Sequence, residues 1–407
     1  MTSKFTPDEV VLAVNAGSSS VKAALIKKDH THLASFVAER LSSEHAVLHC
    51  NFQGDNKSFD IPNGDHEQAL KKIFAFLKEH DLLDKVVATG HRVVHGGKKF
   101  TKSTLVDNHV LDDIEAVSHL APLHNPHNVK GIKAIQKALP SVPAIAVFDT
   151  SFHTTLPQKA KTYPIPGKYR EKGIQKYGFH GTSVRYVVDK ATDLLSDLKE
   201  KKTYNLIVCH LGNGASVTGV AGGKSVETSM GFSPLAGLMM GTRSGDIDPA
   251  VVSFAMHTLG LTVDEVLDDF NKESGLKAMV DTDPDMRNIL KQAHEDNNAA
   301  KLAVDMFSYR VVQNIASCLV ALPGSVDAIV FTGGIGEHSS EIRKYVAESL
   351  QRTILPGFVL DSDLNDNDGE ESKGVLTAEG AFPICLAMAT DEEAQIAKDS
   401  FFIASQE

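Results

Sequence analysis

Four cysteines in 407 residues, Cys50, Cys209, Cys318 and Cys385, are widely spaced and form no Cys-x-x-Cys pair. They sit in or beside apolar runs, the pattern of buried, reduced thiols in a cytoplasmic protein rather than a disulfide framework. No apolar run approaches the ~20 residues that a membrane helix needs. The first residues, Met-Thr-Ser-Lys-Phe-Thr-Pro-Asp-Glu, are polar and acidic, unlike a signal peptide. Basic clusters are also missing, and with a formal net charge of -11 the chain is a poor partner for nucleic acid. Two nucleotide signatures are absent as well. There is no G-x-x-x-x-G-K-[ST] loop, and the Gly-Gly-Ile-Gly run at Gly333 lacks the spacing of a dinucleotide fingerprint.

What remains is an ordinary soluble composition, 42% apolar and 23% charged, in a chain too long for one core. Two domains are expected. Val11 to Lys22 reads as a buried strand that breaks into Asn15, a glycine and three serines before turning apolar again. Small residues and hydroxyls at such a turn suit a phosphate cradle, and equally a plain hairpin with a serine-rich turn. A second copy favours the cradle: Leu206 to Val217 again runs from an apolar strand through a glycine-bearing turn into Ala-Ser-Val. Ala328 to Glu337 is a third strand, delivering a glycine-rich loop. The rhythm of strand, hairpin and helix, given twice, predicts two related α/β domains around a nucleotide cleft.

Between these stretches, Asp65 with Gln68 predicts a capped helix carrying Leu70, Ile73, Phe74 and Leu77. The strand over Lys85 to Thr89 ends in a His-Arg and paired-glycine edge at His91, Arg92 and Gly96. His119 to Asn128 reads as a rigid histidine-rich loop. Prolines on both sides of His124 oppose a helix that would align metal ligands, and no cysteine is near. An amphipathic helix follows over Val129 to Leu139. Asp149 ends a buried strand, where open α/β sheets place their chemistry, and where an N-capping aspartate would also stand. His180 lies between small residues, which favours a ligand-facing side chain over a structural one. Arg243, also among small residues, is free to reach a phosphoryl group. Thr262 to Glu265 is a capping box, Asn297 to Leu322 a long core or interface helix, and Asp361 to Lys373 a solvated acidic loop. Ile384 to Thr390 is a strand that leads into a terminal helix.

In this order the motifs resemble the acetate kinase family from Val11 to about Ala397. They comprise Asn-x-Gly-Ser-Ser-Ser-x-Lys, Gly-His-Arg-Val-Val-His-Gly-Gly, Phe-Asp-Thr-Ser-Phe-His, Gly-Phe-His-Gly-Thr-Ser, His-Leu-Gly-Asn-Gly-Ala-Ser, Gly-Thr-Arg-Ser-Gly-Asp and Phe-Thr-Gly-Gly-Ile-Gly-Glu. The resemblance implies two ribonuclease-H-like, actin-like ATPase domains. The first would span 1–150 with a returning helix over 392–407, and the second, over 151–391, would bind nucleotide and form a homodimer. It implies Mg2+-dependent phosphoryl transfer from ATP to acetate, with Mn2+ as an alternative metal and ADP and acetyl phosphate as products.

Carried over by position, Asp149, His180 and Arg243 would be catalytic. Arg92 would pair with the acetate carboxylate, and Val94, Leu123, Phe179 and Pro234 would enclose its methyl group. Lys22, His210, Leu211, Gly212, Asn213, Gly214, Asp285, Met286, Arg287, Gly334, Ile335, Gly336, Glu337 and His338 would hold the nucleotide. Asn15 and Glu392 would organise the metal. Acetate is already ionised near neutral pH, so Asp149 is expected to orient metal-bound water and the reacting groups rather than serve as a base. Two departures from the family pattern are Val184 in place of His, and Asp391 in place of Asn. A propionate or butyrate kinase on the same scaffold, or a nucleotide-switch ATPase, are the alternatives.

Overall fold

Residues 10–16 and 21–27 form two strands, and the pairing is antiparallel from Val10↔Lys27 to Ala16↔Val21. This hairpin seeds the first of two sheets in the computed structural model, which describes residues 5–17, 19–122, 124–198, 201, 203–280 and 283–406. The chain divides into two compact units: 1–152 with 391–407, and 153–390.

In the first unit the strands are β1 (Val10–Ala16), β2 (Val21–Lys27), β3 (His32–Glu39), β4 (Val47–Phe52), β5 (Asp55–Asp60), β6 (Val86–Val93), β7 (Thr104–Leu105) and β8 (Ala144–Phe148). They form one sheet in the order β5-β4-β3-β2-β1-β6-β8-β7. β1, β6 and β8 run parallel, and the hairpin arm β2–β5 is antiparallel. One sheet face packs on α1 (His66–Glu79), whose Ile73, Phe76 and Leu77 join Leu12, Val14 and Phe36 in a core. Asp65 and Gln68 form the expected capping box. The helices α2 (Asn108–Ala116) and α3 (Asn125–Ala138) place Ile114 and Ile132 beside Phe148. The other face is covered by the C-terminal helix, where Ile396 and Phe401 meet Val11 and Ile145. Gly90 makes this fit: a Cβ there would lie 2.4 Å from both Ile396 Cγ2 and Ser400 Oγ.

The second unit repeats the plan. Its helix α4 (Gly181–Leu198) precedes β9 (Asn205–Leu211), β10 (Ala215–Ala221) and β11 (Lys224–Thr228). After α5 (Met286–His294) and the long α6 (Asn298–Ala321) come β12 (Ala328–Thr332), α7 (Gly333–His338), α8 (Ser340–Thr353) and β13 (Ile384–Ala387). The helix α9 (Glu392–Ala404) is the one that returns to the first unit. The strand order is β11-β10-β9-β12-β13, with β9, β10 and β11 antiparallel and β12 and β13 parallel to β9. Renumbered within each unit, β3-β2-β1-β6-β8 and β11-β10-β9-β12-β13 are the same 3-2-1-4-5 sheet, as expected for two ribonuclease-H-like domains. Among the described residues no helix is long and apolar enough to cross a membrane.

Three local expectations are corrected. The strand expected to stop at Thr89 continues to Val93, so Arg92 sits on it rather than on a turn. The rigid loop before Val129 is shorter than expected, because α3 begins at Asn125 with Pro126 in its first turn, where its missing N–H costs nothing. The glycine-rich loop after β12 is the short helix α7, entered through Gly333 at φ +76°.

Candidate active site

The carboxyl ends of three neighbouring parallel strands, β1, β6 and β8, bring Asn15, Arg92 and Asp149 together. Arg92 grips the buried Asp149 carboxylate from two sides. Its Nε donates to Oδ1 at 3.1 Å and to Oδ2 at 3.0 Å, and its Nη2 donates to Oδ2 at 2.5 Å. The remaining nitrogen, Nη1, donates to the neutral amide oxygen of Asn15 at 3.2 Å. Glu392, in the first turn of α9, brings Oε2 to 3.7 Å from Arg92 Nε and to 3.5 Å from the Asn15 amide nitrogen. Burial works against the Arg92 charge, but Asp149 and Glu392 outweigh it and hold the guanidinium more firmly protonated than usual. Lys22, opposite Asn15 on β2, is exposed, and its charge pulls on the Glu392 carboxyl.

Behind these groups, α3 supplies two buried amides. Asn128 Oδ1 accepts from Val94 N at 3.1 Å, while its Nδ2 donates to Ala16 O at 2.7 Å. Asn125 bonds both backbone groups of His95, at 3.1 and 2.9 Å. The α3 helix therefore fixes the ends of β1 and β6 together. Asp391, one of the two departures, caps α9 by accepting from Ala394 N at 2.8 Å and pairs with His32 at 2.7 Å. An acid at this place helps to seat the helix that carries Glu392.

The second unit gathers the remaining polar candidates around the β9–β10 turn. His180 has φ +59°, a conformation uncommon outside glycine and typical of functional positions. Its Nδ1 bonds Ser216 Oγ at 3.0 Å, and its ring lies 4.3 Å from that of His210. A Cβ on Gly214 would fall 3.2 Å from His180 Nε2 and 3.5 Å from Arg243 Nη1, so both side chains converge on this turn. Arg243 Nη1 also donates to the Pro234 carbonyl at 3.1 Å. His210 is held by Ser183 at 2.8 Å, which bonds Thr390 in turn at 2.6 Å. Val184, the other departure, is buried in α4 next to this relay.

A cavity of about 550 Å3 opens beside the turn, lined by Gly212, Asn213, Gly241, Asp285, Met286, Arg287, Gly334, Ile335 and His338, among others. Asp285 caps α5 and forms a bidentate pair with the exposed Arg287. Leu211 and Gly336 are buried, and Glu337 turns back to accept from Gly333 N at 2.9 Å, bracing its own helix. The segment expected to be a solvated loop is corrected here. It includes a short helix, Ser362–Asp366, and Asn365 and Asp368 bond the fully buried Arg343. Arg343 also donates to the Gly336 and Glu337 carbonyls, at 3.0 and 2.6 Å, and so anchors the end of α7.

The residues expected to enclose the methyl group belong to different units. Val94 lies in the first, buried Phe179 and half-buried Pro234 lie in the second, and Leu123 is outside the described residues. Sequence reasoning passed over Asn125, Asn128, Ser183, Ser216, Gly241 and Arg343. Asn125 and Asn128 stand in the histidine-rich run that was read only for metal ligands. Gly241 opens the Gly-Thr-Arg run read only for its arginine.

Comparison with known proteins shows what the chain as a whole resembles. Residues 10–398 match the model of the Acetokinase family. The chain is 45% identical over 395 residues to an acetate kinase of Bacillus cereus (strain ZK / E33L), covering 96% of this chain and 97% of that protein. It is 44% identical over 397 residues to an acetate kinase of Bacillus subtilis (strain 168), covering 96% and 98%. A solved propionate kinase from Francisella tularensis superposes with a TM-score of 0.90 at 39% identity, over 96% of this chain and 99% of that one. The acetate kinase of Porphyromonas gingivalis gives 0.88 at 36% identity, over 97% and 99%.

Proposed function

The chain belongs to the acetokinase family, and from that membership we propose how its two units divide the transfer of a phosphoryl group from ATP to acetate. It is a kinase whose acceptor is a carboxylate. The observation that carries the division is the pairing of Arg92. Asp149 occupies Nε and Nη2, and only a neutral amide occupies Nη1. A carboxylate makes a stronger, charge-assisted bond than an amide oxygen, so acetate displaces Asn15 from Nη1 and is fixed there.

Acetate near neutral pH needs no base. Its oxygen attacks the γ-phosphorus of ATP, a new P–O bond forms, and the bond to the β–γ bridging oxygen breaks in line to release ADP. Asp149 keeps Arg92 charged and oriented. His180 and Arg243 donate to the equatorial oxygens of the transferring group, where negative charge gathers. Ser216 holds His180 Nδ1, which turns Nε2 to the ligand side. The cavity beside Gly212 and Gly334 takes the adenosine.

The donor set around Glu392 fits Mg2+. Asn15, Asp149 and Glu392 offer hard oxygens. Burial pushes the Glu392 carboxyl upward, Arg92 pulls it back, and Asp149 and Glu393 add to the rise. A divalent cation restores the ionised form of such a group. Mg2+ held by Asn15 and Glu392 would supply charge neutralisation for the nucleotide phosphates. A homodimer through the second unit is supported by exposed apolar side chains there, including Phe254 (61%), Leu259 (64%) and Tyr309 (62%). A cytoplasmic setting rests on four buried thiols without a disulfide.

The test is ADP formation from Mg-ATP with hydroxylamine trapping of the acyl phosphate, across acetate, propionate, butyrate and no acceptor. Arg92→Ala should raise the acetate KM and, with Arg243→Ala, lower kcat/KM by about 10²–10³-fold. Turnover that ignores the acceptor, or an Arg92→Ala enzyme with an ordinary acetate KM, would refute the division.

A further inference from the structure

The first unit holds a second cavity that the reaction does not use, an open groove of about 800 Å3 between α1 and α3. Its floor is apolar, with Leu70, Phe74 and Ala134. Its rim carries four lysines, Lys71 on α1 and Lys130, Lys133 and Lys137 along α3, against two carboxylates, Asp65 and Glu67, and so is net basic in a chain of net charge -11. Two of these charges are already paired, Lys71 with Glu67 at 2.8 Å and Lys133 with Glu115. Lys130 and Lys137 have no ion-pair partner among the described residues. His127 faces the same groove, stacked on His66 with ring centroids 5.6 Å apart, and its imidazole has no hydrogen-bond partner among the described residues. One cavity thus collects three nitrogen donors without a hydrogen-bond or ion-pair acceptor over an apolar floor. Such a surface is complementary to a multiply charged anion with a small organic body.

Both walls also reach the candidate active site directly. On α1, His66 Nε2 donates to the Gly17 carbonyl at 2.6 Å, in the turn between β1 and β2. On α3, Asn128 bonds Ala16 O and Val94 N, and Gly131 packs so closely that a Cβ would lie 3.1 Å from Ala16 Cβ. A ligand that bridges α1 and α3 therefore bears on the turn from two sides at once.

We infer that this groove is an effector site for a small organic phosphate, and that its occupation steadies the β1–β2 turn and strengthens acetate binding. The phosphate is held by Lys130, Lys137 and His127, and its organic part lies on Leu70 and Phe74. Coupling of this kind is reciprocal, so acetate must tighten the effector by the same factor that the effector tightens acetate. The coupling rests on the assignment of acetate to Arg92, whereas the binding itself does not.

The probe is 3-phosphoglycerate, titrated calorimetrically into the full-length enzyme saturated with Mg-ADP, beside inorganic phosphate and glycerol. The expected result is binding of 3-phosphoglycerate that weakens at least about 10-fold in Lys130→Glu/Lys137→Glu, together with a downfield shift of the His127 ring proton resonance, identified with His127→Gln. The acetate KM should fall several-fold with 3-phosphoglycerate present in the wild type and stay unchanged in the double variant, whose basal turnover is normal. No binding, or binding that survives the charge reversal, overturns the site. Inorganic phosphate binding as tightly as 3-phosphoglycerate overturns the role of the apolar floor. Binding with no change in acetate KM overturns the coupling, provided that Arg92→Ala has already shown the acetate assignment to hold.

Discussion

Asn128→Ala is the most demanding test of how the site is built. The side chain lies at 3% exposure and spans two backbone groups that are remote in sequence, accepting from Val94 N–H and donating to Ala16 C=O. Only one orientation of the amide satisfies both. Truncation strands one buried donor and one buried acceptor, each worth about 1–3 kcal/mol when left unpaired, so the loss should total about 2–6 kcal/mol. A water in the vacated space would bring it toward the lower end. Asn128→Asp separates the two bonds. It keeps the acceptor for Val94 but faces a carboxylate toward the Ala16 carbonyl, so near pH 7 it should be at least as damaging as alanine. Urea unfolding gives the free energy, and the acetate KM gives the functional cost, because β1 and β6 carry Asn15 and Arg92. A change below about 0.5 kcal/mol for Asn128→Ala, the scale of a neutral surface substitution, would refute the bridging role.

Two further outcomes follow from burial and close approach. Burial holds His91 down to about 3 and His95 to about 4, so the folded protein refuses protons that the unfolded chain accepts below its ordinary value near 6.5. Stability contributed by the pair is complete above pH 6.5 and is lost as pH falls toward 4 for His95 and toward 3 for His91, at about 1.4 kcal/mol per pH unit for each histidine. Urea midpoints at pH 7.5, 6.5 and 5.5 would show it, and a slope that is unaltered in His91→Phe would argue against it. Gly241→Ala would place a Cβ 1.9 Å from Asn213 Oδ1, the mobile end of a side chain that lines the second unit's cavity. Stability should fall by no more than about 1 kcal/mol, the low end of overpacking. The ADP dissociation constant should rise about 10-fold, and equal loss of acetate and ADP binding would contradict the assignment of this cavity.

Much of the architecture was legible because its signals are local. Continuous apolar runs that break into glycine and serine gave both hairpins, the Asp65 and Thr262 capping boxes marked helix starts, and the repeated rhythm announced two sheets of one plan. The errors have local causes too. Pro126 was read as a helix breaker although a first turn tolerates it, and the glycines after β12 were read as a loop although a positive φ at Gly333 opens a helix. The segment after Asp361 looked solvated because its acids are plain in the sequence, while the buried Arg343 that engages Asp368 lies 25 residues away.

The sequence by itself determined the family, the two-fold repetition of the sheet and the residue types needed for phosphoryl transfer, since each is written in short runs whose chemistry depends on neighbours in the chain. Tertiary structure decided which of those residues act on one another. Strand order places Arg92 against Asp149 across 57 positions, and the return of α9 sets Glu392 within 3.5 Å of Asn15 across 377. Such pairings depend on which strands lie side by side and on where a helix crosses a sheet, and no periodicity within a single stretch carries that information.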